Sequence, residues 1–235
     1  MLAEPMSQST GAPEVATHPA PLPQRVTLKG RHVTLAPLDA SHADALYEGS
    51  HGAGEAVWTY LYEQPFADRA AFAMHIAAKA VSKDPFFFAI IDNASGSPVG
   101  HETLMRIDPA NRVIEVGNIL YTPALQRTPG ATEAQYLLAK YIFDELGYRR
   151  YEWKCNDLNA PSRRAALRFG FTYEGTFRQH LIVKGRNRDT AWYSMLDSEW
   201  PSRRAAFESW LAPENFDAAG VQKTSLADLM KEAAP

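Results

Sequence analysis

The sequence has few of the features that mark several protein classes. Cys155 is its single cysteine, so no intrachain disulfide can form and we expect a cytoplasmic protein. No histidine and cysteine spacing is typical of a metal centre, so we predict no metal site. No uninterrupted apolar run is long enough to span a bilayer, which argues against a membrane partner. The net charge of −3 argues against a general nucleic-acid partner, which requires a basic excess.

Arginine is nevertheless clustered in places. The clusters are Arg149-Arg150, Arg163-Arg164, Arg186-Asn187-Arg188 and Arg203-Arg204. Such short basic runs are typical of solvated faces, and contact with a ribosome or an anionic cofactor is the alternative.

Length and composition favour one globular domain with two tails. The 235 residues are 46% hydrophobic, enough for one sizeable core. Residues 1–23 are rich in Ala, Pro, Ser and Thr without periodicity, which predicts a flexible N-terminal tail. We expect the domain to span residues 24–216 and a loosely attached C-terminal tail to span residues 217–235.

The hydrophobic pattern predicts a sheet with helices along the chain. Two short strand-like runs within Val26–Leu35 precede a helix capped near Asp39 or Ser41 and a helix over residues 68–81. An antiparallel meander follows, then a helix, a parallel strand, a second helix, a closing hairpin and a last helix. The predicted ranges are Phe86–Asp92, Val99–Ile107 and Arg112–Tyr121 for the meander, Thr132–Leu146 for the crossover helix, Tyr151–Cys155 for the parallel strand, Phe177–Val183 and Thr190–Leu196 for the hairpin, and Trp200–Trp210 for the last helix.

The turn Gln126–Thr132 joins a strand to a helix. The first N–H groups of a helix lack intrahelical partners and carry the positive end of the dipole, so such a turn can bind phosphate. Arg127 adds a positive charge, and Gly130 lets the backbone approach a ligand. Many helices begin after such a turn and bind nothing, so this motif alone leaves both interpretations open.

A second motif follows the predicted strand Tyr151–Cys155. Asn159 suits an N-cap, Pro161 suits the first turn, and Gly170 ends the helix before the next strand. Asn159 and Ser162 are three residues apart, so both can face one extended ligand. Alternatively, Asn159 only caps the helix and Ser162 only occupies its first turn.

With these two motifs the chain resembles the GNAT superfamily of acetyl-CoA-dependent N-acetyltransferases, in the branch of the RimJ/RimL ribosomal-protein acetyltransferases. The resemblance extends from about Thr27 to about Phe216 and rests on Arg127-x-x-Gly130-x-Thr132 and Asn159-x-x-Ser162. Thr132 departs from the Gly or Ala that the family usually has. The resemblance implies an α+β fold in α/β/α layers, with a mixed, mostly antiparallel sheet of about seven strands. It also implies that acetyl-CoA lies where two parallel strands splay apart between flanking helices.

The resemblance implies roles for individual residues. Asn159 would bond the pantetheine arm, and Ser162 would protonate the leaving thiolate as a catalytic residue. A main-chain N–H near Asn118 or Ile119 would polarise the thioester, since Gly117 marks a bulge there. The full predicted set for the cofactor is Ile119, Tyr121, Gln126, Arg127, Thr128, Gly130, Ala131, Thr132, Asn159 and Ser162.

The base that activates the amine has several candidates. Glu115 lies in the strand that should flank the acetyl group and is our predicted catalytic carboxylate. Glu102 and His101 lie on the neighbouring strand, where alternation allows only one of them to face the cleft. Loss of the amine proton to solvent is the remaining alternative.

The acceptor is expected to be a primary amine, either on a small molecule or at a protein N-terminus. Its predicted contacts are Trp58, Tyr60, Glu102 and Arg178. Aromatic residues in this pattern also occur in ordinary packed strands. The resemblance further implies that a homodimer can form. Two other functions stay open: a catalytically inactive acyl-CoA-binding module of the same fold, and a protein that binds another phosphorylated ligand.

Overall fold

The computed structural model describes residues 14–232, apart from the side chains of residues 53 and 54, and one mixed sheet forms its centre. Eight strands lie in the order β1-β2-β3-β4-β5-β6-β8-β7. Neighbours are antiparallel except β5 and β6. The strands are β1 Leu28–Lys29, β2 Val33–Pro37, β3 Phe86–Asp92, β4 Pro98–Asp108, β5 Val113–Tyr121, β6 Arg150–Asn156, β7 Thr172–Val183 and β8 Arg186–Leu196. The predicted α+β fold with a mostly antiparallel sheet is confirmed, and the sheet has eight strands where about seven were expected.

Helices cover both faces of this sheet. They are α1 Ala43–Ser50, α2 Arg69–Ala80, α3 Pro129–Lys140, α4 Ala160–Arg168, α5 Trp200–Leu211 and α6 Leu226–Glu232. Short 3-10 helices occupy Ala40–His42, Gly52–Trp58 and Pro213–Asn215, and a π-helical segment, Tyr141–Glu145, continues α3.

Strand β3 shows how the layers are built. Phe86 and Phe88 belong to the main hydrophobic core, which includes residues of α3 and α5. Phe87 belongs to a second core with Leu46 of α1 and Phe72 of α2. Because side chains alternate along a strand, β3 is hydrophobic on both faces and joins the two helical layers.

The crossover helix α3 begins three residues earlier than the sequence predicted. Thr128 is its N-cap, and its side chain accepts a hydrogen bond from the N–H of Ala131. Pro129 at the first helical position supports this start, since its ring fixes a helical φ and needs no N–H partner there. The whole predicted phosphate turn therefore ends inside the first turn of a helix.

Pairing between β5 and β6 ends partway along the two strands. The parallel register runs from Val113 opposite Arg150 to Val116 opposite Trp153 and then stops. Strand β6 continues with β8 as far as Asn156 opposite Thr190. The second halves of β5 and β6 thus diverge, and a notch opens between them.

A bulge lies on β5 at the start of this notch. Thr103 pairs with Gly117 and His101 pairs with Leu120, so Asn118 and Ile119 together face one residue of β4. Asn118 has a φ of 46°, in the left-handed region. The bulge expected at Gly117 is therefore present, with its unusual backbone conformation at the next residue.

The closing hairpin is tighter than predicted. The sequence suggested a five-residue connection from Lys184 to Arg188, but β8 begins at Arg186. Lys184 and Gly185 have φ values of 51° and 71°, which suits a two-residue hairpin turn. Arg186 and Arg188 are consequently strand residues.

The terminal segments fall partly outside the described residues. Of the predicted tails, residues 1–13 and 233–235 lie outside them. In the N-terminal segment, Ala20 is buried and its N–H donates to the carbonyl of Pro109. In the C-terminal segment, Leu226 and Met230 of α6 are buried in the main core. No helix within residues 14–232 has the length and apolar character needed to cross a membrane.

Candidate active site

A cavity of about 1040 Å³ fills the notch between β5 and β6. Its walls come from the first turn of α3, one face of α4, the strand ends and the segment 56–62 between α1 and α2. This size is in the range of pockets that bind small molecules. The predicted residues that line it are Glu115, Ile119, Tyr121, Gln126, Arg127, Thr128, Ala131, Thr132, Asn159, Ser162 and Tyr60. The structure therefore brings the two sequence motifs together at one cavity.

The start of α3 gives this cavity an anion-binding wall. Arg127, just before the cap, has a φ of 63° and lines the cavity with Thr128. The first N–H groups of the helix lack intrahelical acceptors and carry the positive end of its dipole. An anionic ligand such as a pyrophosphate fits this wall.

Gly130 lies at the contact between α3 and the sheet. It does not line the cavity. A Cβ at this position would lie 2.8 Å from Cγ1 of Val33 on β2. The absence of a side chain therefore allows α3 to pack closely on the sheet.

Thr132, the departure from the family pattern, is part of a contact between α3 and α4. It is buried, and its Oγ1 accepts a hydrogen bond from Nη1 of Arg168 at 3.0 Å. The guanidinium of Arg168 also lies 5.0 Å from the ring centre of Trp210. Burial lowers the pKa of Arg168 from its ordinary value. The threonine hydroxyl thus orients an arginine that lines the cavity.

Arg168 and Arg164 are cavity residues that our sequence analysis missed. For the Arg163-Arg164 cluster the sequence favours a solvated face, with contact to a ribosome or an anionic cofactor as the alternative, and both Arg164 and Arg168 line the cavity. They are four residues apart, so they share one face of α4. This spacing, starting two residues after Ser162, was a signal that could have identified them.

Ser162 and Asn159 both line the cavity at the start of α4. Oδ1 of Asn159 accepts the N–H of Ser162 at 3.1 Å, so Asn159 caps α4. Oγ of Ser162 accepts a hydrogen bond from Nε1 of Trp153 at 3.0 Å. The Trp153 indole thus holds the Ser162 oxygen at the wall of the cavity, which Ser162 lines.

The remaining cofactor candidates lie along the end of β5. Ile119 and Tyr121 line the cavity, and Nε2 of Gln126 donates to the carbonyl oxygen of Tyr121 at 2.7 Å. The Tyr121 hydroxyl donates to Oε2 of Glu102 at 2.7 Å. These two hydrogen bonds hold the main chain and the side chain of Tyr121 in place at the end of β5.

Glu115 lies at the closed end of the notch in a cluster of charges. Its Oε2 is 2.8 Å from Nζ of Lys154 and 3.3 Å from Nε of Arg106. Lys154 also bonds Oε2 of Glu152 at 2.6 Å and lies 3.8 Å from the ring centre of Trp192. Burial raises the pKa of Glu115, and the neighbouring cations only partly oppose this effect.

The segment 56–62 closes the notch on the face opposite α3 and α4. The hydroxyl of Tyr60 donates to the carbonyl of Leu158 at 2.9 Å. Nζ of Lys184 donates to the carbonyl of Trp58 at 2.7 Å. Trp58 itself is buried in the second core and its Nε1 donates to the carbonyl of Ser50, so it supports this wall without lining the cavity. We call residues 56–62 the strap.

Three other candidates lie away from the cavity. Glu102 is fully buried, bonds Tyr121 and Gln135, and has its pKa raised to about 7 by burial. His101 is also buried, with its ring against Phe87 in the second layer. Arg178 lines a separate depression on the β7–β8 hairpin. The structure therefore does not place Glu102, His101 or Arg178 where they can contact an acceptor in the cavity.

Arg188 and Tyr62 are further cavity residues that sequence reasoning missed. They are 126 residues apart, and Nη1 of Arg188 donates to the Tyr62 hydroxyl at 3.0 Å. No local pattern links them. Within residues 14–232, no three His, Cys, Asp or Glu side chains are grouped in a way that could hold a metal ion.

Comparison with known proteins agrees with this architecture. Residues 32–172, more than half of the chain, match the acetyltransferase (GNAT) domain family. The chain belongs to this family. A crystal structure of a GCN5-related N-acetyltransferase from Brucella melitensis is 55% identical with a TM-score of 0.89, covering 91% of this chain and 98% of that one. A second crystal structure, of one of the "probable acetyltransferases (GNAT family)" from Chromobacterium violaceum ATCC 12472, is 40% identical with a TM-score of 0.76. The match covers 85% of this chain and 100% of that one.

The chain is also similar to a curated protein over part of its length. The "Putative ribosomal N-acetyltransferase YdaF" of Bacillus subtilis (strain 168) is 32% identical over 109 residues, or 46% of this chain. The matched stretch spans 59% of that protein. The domain match confirms the predicted GNAT family.

Proposed function

We propose that this GNAT protein transfers the acetyl group of acetyl-CoA to a primary amine by direct attack in a ternary complex. The observation that carries the proposal is that the start of α3 and the Ser162 face of α4 line one cavity in the notch. A single extended thioester can contact both walls while an amine enters beneath the strap.

On the cofactor side, charge and main-chain donors select a pyrophosphate. The positive end of the α3 dipole attracts its oxygens, and Arg127, Arg164 and Arg168 supply positive charge. Asn159 uses its Oδ1 as a cap, which leaves its Nδ2 to donate to a carbonyl of the pantetheine arm.

The chain's own residues then assist acyl transfer. A main-chain N–H of the bulge at Asn118 and Ile119 polarises the thioester carbonyl, because the β5–β6 pairing has ended there. The amine nitrogen forms a bond to the carbonyl carbon, and the bond from that carbon to sulfur breaks. Ser162, whose oxygen is held by Trp153, donates its proton to the departing thiolate and regains one from solvent.

The proton of the amine goes to Glu115. This carboxylate lines the cavity, and its pKa is raised by burial, which makes it a stronger base than a surface carboxylate. Glu102 and His101 do not line the cavity, so they are not candidates for direct contact. Loss of the amine proton to solvent is the alternative, and the pH dependence of the kinetics distinguishes it from transfer to Glu115.

The test is turnover with a panel of amines. The protein is incubated with acetyl-CoA and with small amines or peptides with a free N-terminus, while thiol release and the mass of the product are followed. We expect thiol release matched by a gain of one acetyl group. Acetyl-CoA binding without turnover across the panel supports the inactive module instead, and neither binding nor thiol release contradicts the proposal. Cytoplasmic location, the homodimer and the domain limits at residues 24 and 216 stay predictions.

A further inference from the structure

Arg188 is a buried cation that the acetyl-transfer scheme does not use. Its side chain lines the cavity, yet the residue is only 8% exposed. It makes one hydrogen bond to the described part of the chain, from Nη1 to the Tyr62 hydroxyl at 3.0 Å. Its Nε is enclosed and has no partner among these residues. Apart from the enclosed Nε and the one N–H bonded to Tyr62, the remaining Nη hydrogens of this guanidinium are left for a ligand.

Its charge has no counter-charge within residues 14–232. Lys154 is paired with Glu115 and Glu152, and Arg106 is paired with Glu115. Arg188 forms no ion pair with a described carboxylate, since its one polar contact is a neutral hydroxyl. A buried and unpaired charge is costly, so an anionic group entering the cavity is strongly favoured at this position.

The position of Arg188 assigns that anion to the acceptor and not to the cofactor. On β8, Ala191 and Tyr193 point into the main core beneath the α3 and α5 layer. Arg188 alternates with them and contacts the strap through Tyr62. The phosphate wall, with Thr132 and Arg168, lies on the other side of the notch and has its own cations.

The same face of β8 is rich in unpaired donors. Oγ1 of Thr190 and Nε1 of Trp192 are also enclosed without a hydrogen-bond partner among the described residues. They occupy the next two positions on the Arg188 side of the strand, because alternate residues share a face. Neither Thr190 nor Trp192 lines the cavity, so on this face of β8 it is Arg188 that can present its donors to a ligand there.

We infer that the acceptor is a primary amine bearing a carboxylate that pairs with the Arg188 guanidinium. This inference rests on the proposed acetyl transfer. Two sources share this chemistry: a small amino acid, and a peptide with an acidic side chain close to its free N-terminus. In either case the carboxylate is held under the strap while the amine reaches the thioester.

Matched acceptors test the inference. Each pair differs only in carboxylate against amide: β-alanine and β-alaninamide as small molecules, and peptides with Glu or Gln at the second position. We expect kcat/KM to favour the carboxylate by about tenfold or more, the scale of a charge-assisted hydrogen bond. The pair with the larger ratio identifies the source. Equal values within both pairs, or preference for the amides, overturns the inference.

Variants show whether Arg188 is the cause. Arg188→Gln should abolish the preference while acetyl-CoA affinity stays within about twofold, and Arg188→Lys should restore part of it by returning the charge. Arg186→Gln, an exposed arginine on the same strand, is the matched control and should keep the full preference. A preference unchanged in Arg188→Gln contradicts the assignment.

A binding measurement keeps the inference distinct from the proposed function. Calorimetry with the same matched acceptors in the presence of CoA reports the carboxylate preference even without turnover. Tighter binding of the carboxylates, lost in Arg188→Gln, supports the inference even if no acetyl transfer is seen. Turnover without any carboxylate preference supports the proposed function and contradicts the inference.

Discussion

Arg168 donates a hydrogen bond from Nη1 to Oγ1 of Thr132 at 3.0 Å, which links α4 to the first turn of α3 across the wall of the cavity. Thr132 occupies the last position of the Arg127-x-x-Gly130-x-Thr132 motif, where the family usually has glycine or alanine. The hydroxyl does not obstruct the helix start. It holds a half-buried arginine at the wall where we propose that the phosphates bind. The threonine at this position therefore fixes where the positive charge of Arg168 lies at the cavity wall.

The first prediction concerns this arginine. Arg168→Gln should weaken acetyl-CoA binding about tenfold or more, because a charge-assisted contact to phosphate is lost. Isothermal calorimetry measures the change. Arg163→Gln is the control, since Arg163 is on the same helix but pairs with Asp157. Equal affinity in wild type and Arg168→Gln would show that Arg168 only supports packing against Trp210.

The sheet and the two motifs were predictable because their signals are local. Alternation and turn residues located β3, β4 and β5, and Asn159 with Ser162 followed helix-start rules. Gly117 predicted the bulge for the same reason. These features depend on neighbours within a few residues, so a single sequence contains them.

The other side of the cavity depends on contacts between distant residues. Arg188 and Tyr62 meet only because the β7–β8 hairpin packs against the strap. Glu102 looked as suitable as Glu115 for the base, and only the register of β4 shows that it is buried beneath α3 with Gln135. Residue type and local spacing do not encode which face of a bulged strand meets the cavity.

A second prediction separates chemistry from binding at α4. Ser162→Ala should lower kcat on the order of 100-fold, as expected for loss of a general acid, with little change in acetyl-CoA affinity. Stopped assays of thiol release and calorimetry give the two values. Ser202→Ala on α5, whose hydroxyl bonds the carbonyl of Glu199, is the control. A wild-type kcat in Ser162→Ala argues that the thiolate leaves without its help.

A third prediction uses the environment of Glu115. Burial raises the pKa of this carboxyl above its ordinary value, so at low pH it keeps its proton and cannot act as a base. As pH rises through that pKa, kcat/KM for the amine should rise. Glu115→Gln should remove this rise and lower the plateau by about 100-fold. Glu174→Gln, which changes an exposed partner of Arg150, is the control.

The outcome for Glu115 also decides between the two routes for the amine proton. If Glu115→Gln keeps the wild-type pH profile, the amine loses its proton to solvent and the ionisation of the amine sets the profile. Amines of different basicity then shift the rise in step with their own pKa, whereas a Glu115 base leaves its position unchanged.

The fourth prediction concerns stability and the buried Glu102. Its pKa rises from 4.5 to about 7 because burial disfavours the charged form, and the hydrogen bond from Tyr121 only partly opposes this. Between these two pH values the folded protein keeps a proton that the unfolded chain releases. Stability from this group is therefore fully present below about pH 4.5 and is lost as pH rises through about 7. The loss is on the order of 3 kcal/mol.

Glu102→Gln tests this directly, because glutamine retains an oxygen for the Tyr121 hydroxyl and cannot ionise. Urea unfolding at pH 5 and pH 8 gives the free energy of unfolding for both proteins. We expect wild type to lose about 2.5 kcal/mol more than Glu102→Gln over this interval, because part of the total loss occurs below pH 5. Other titrating groups are common to both proteins and cancel in the difference. An equal loss in the two proteins would mean that Glu102 is already ionised at pH 5, and that the bonds from Tyr121 and Gln135 outweigh its desolvation.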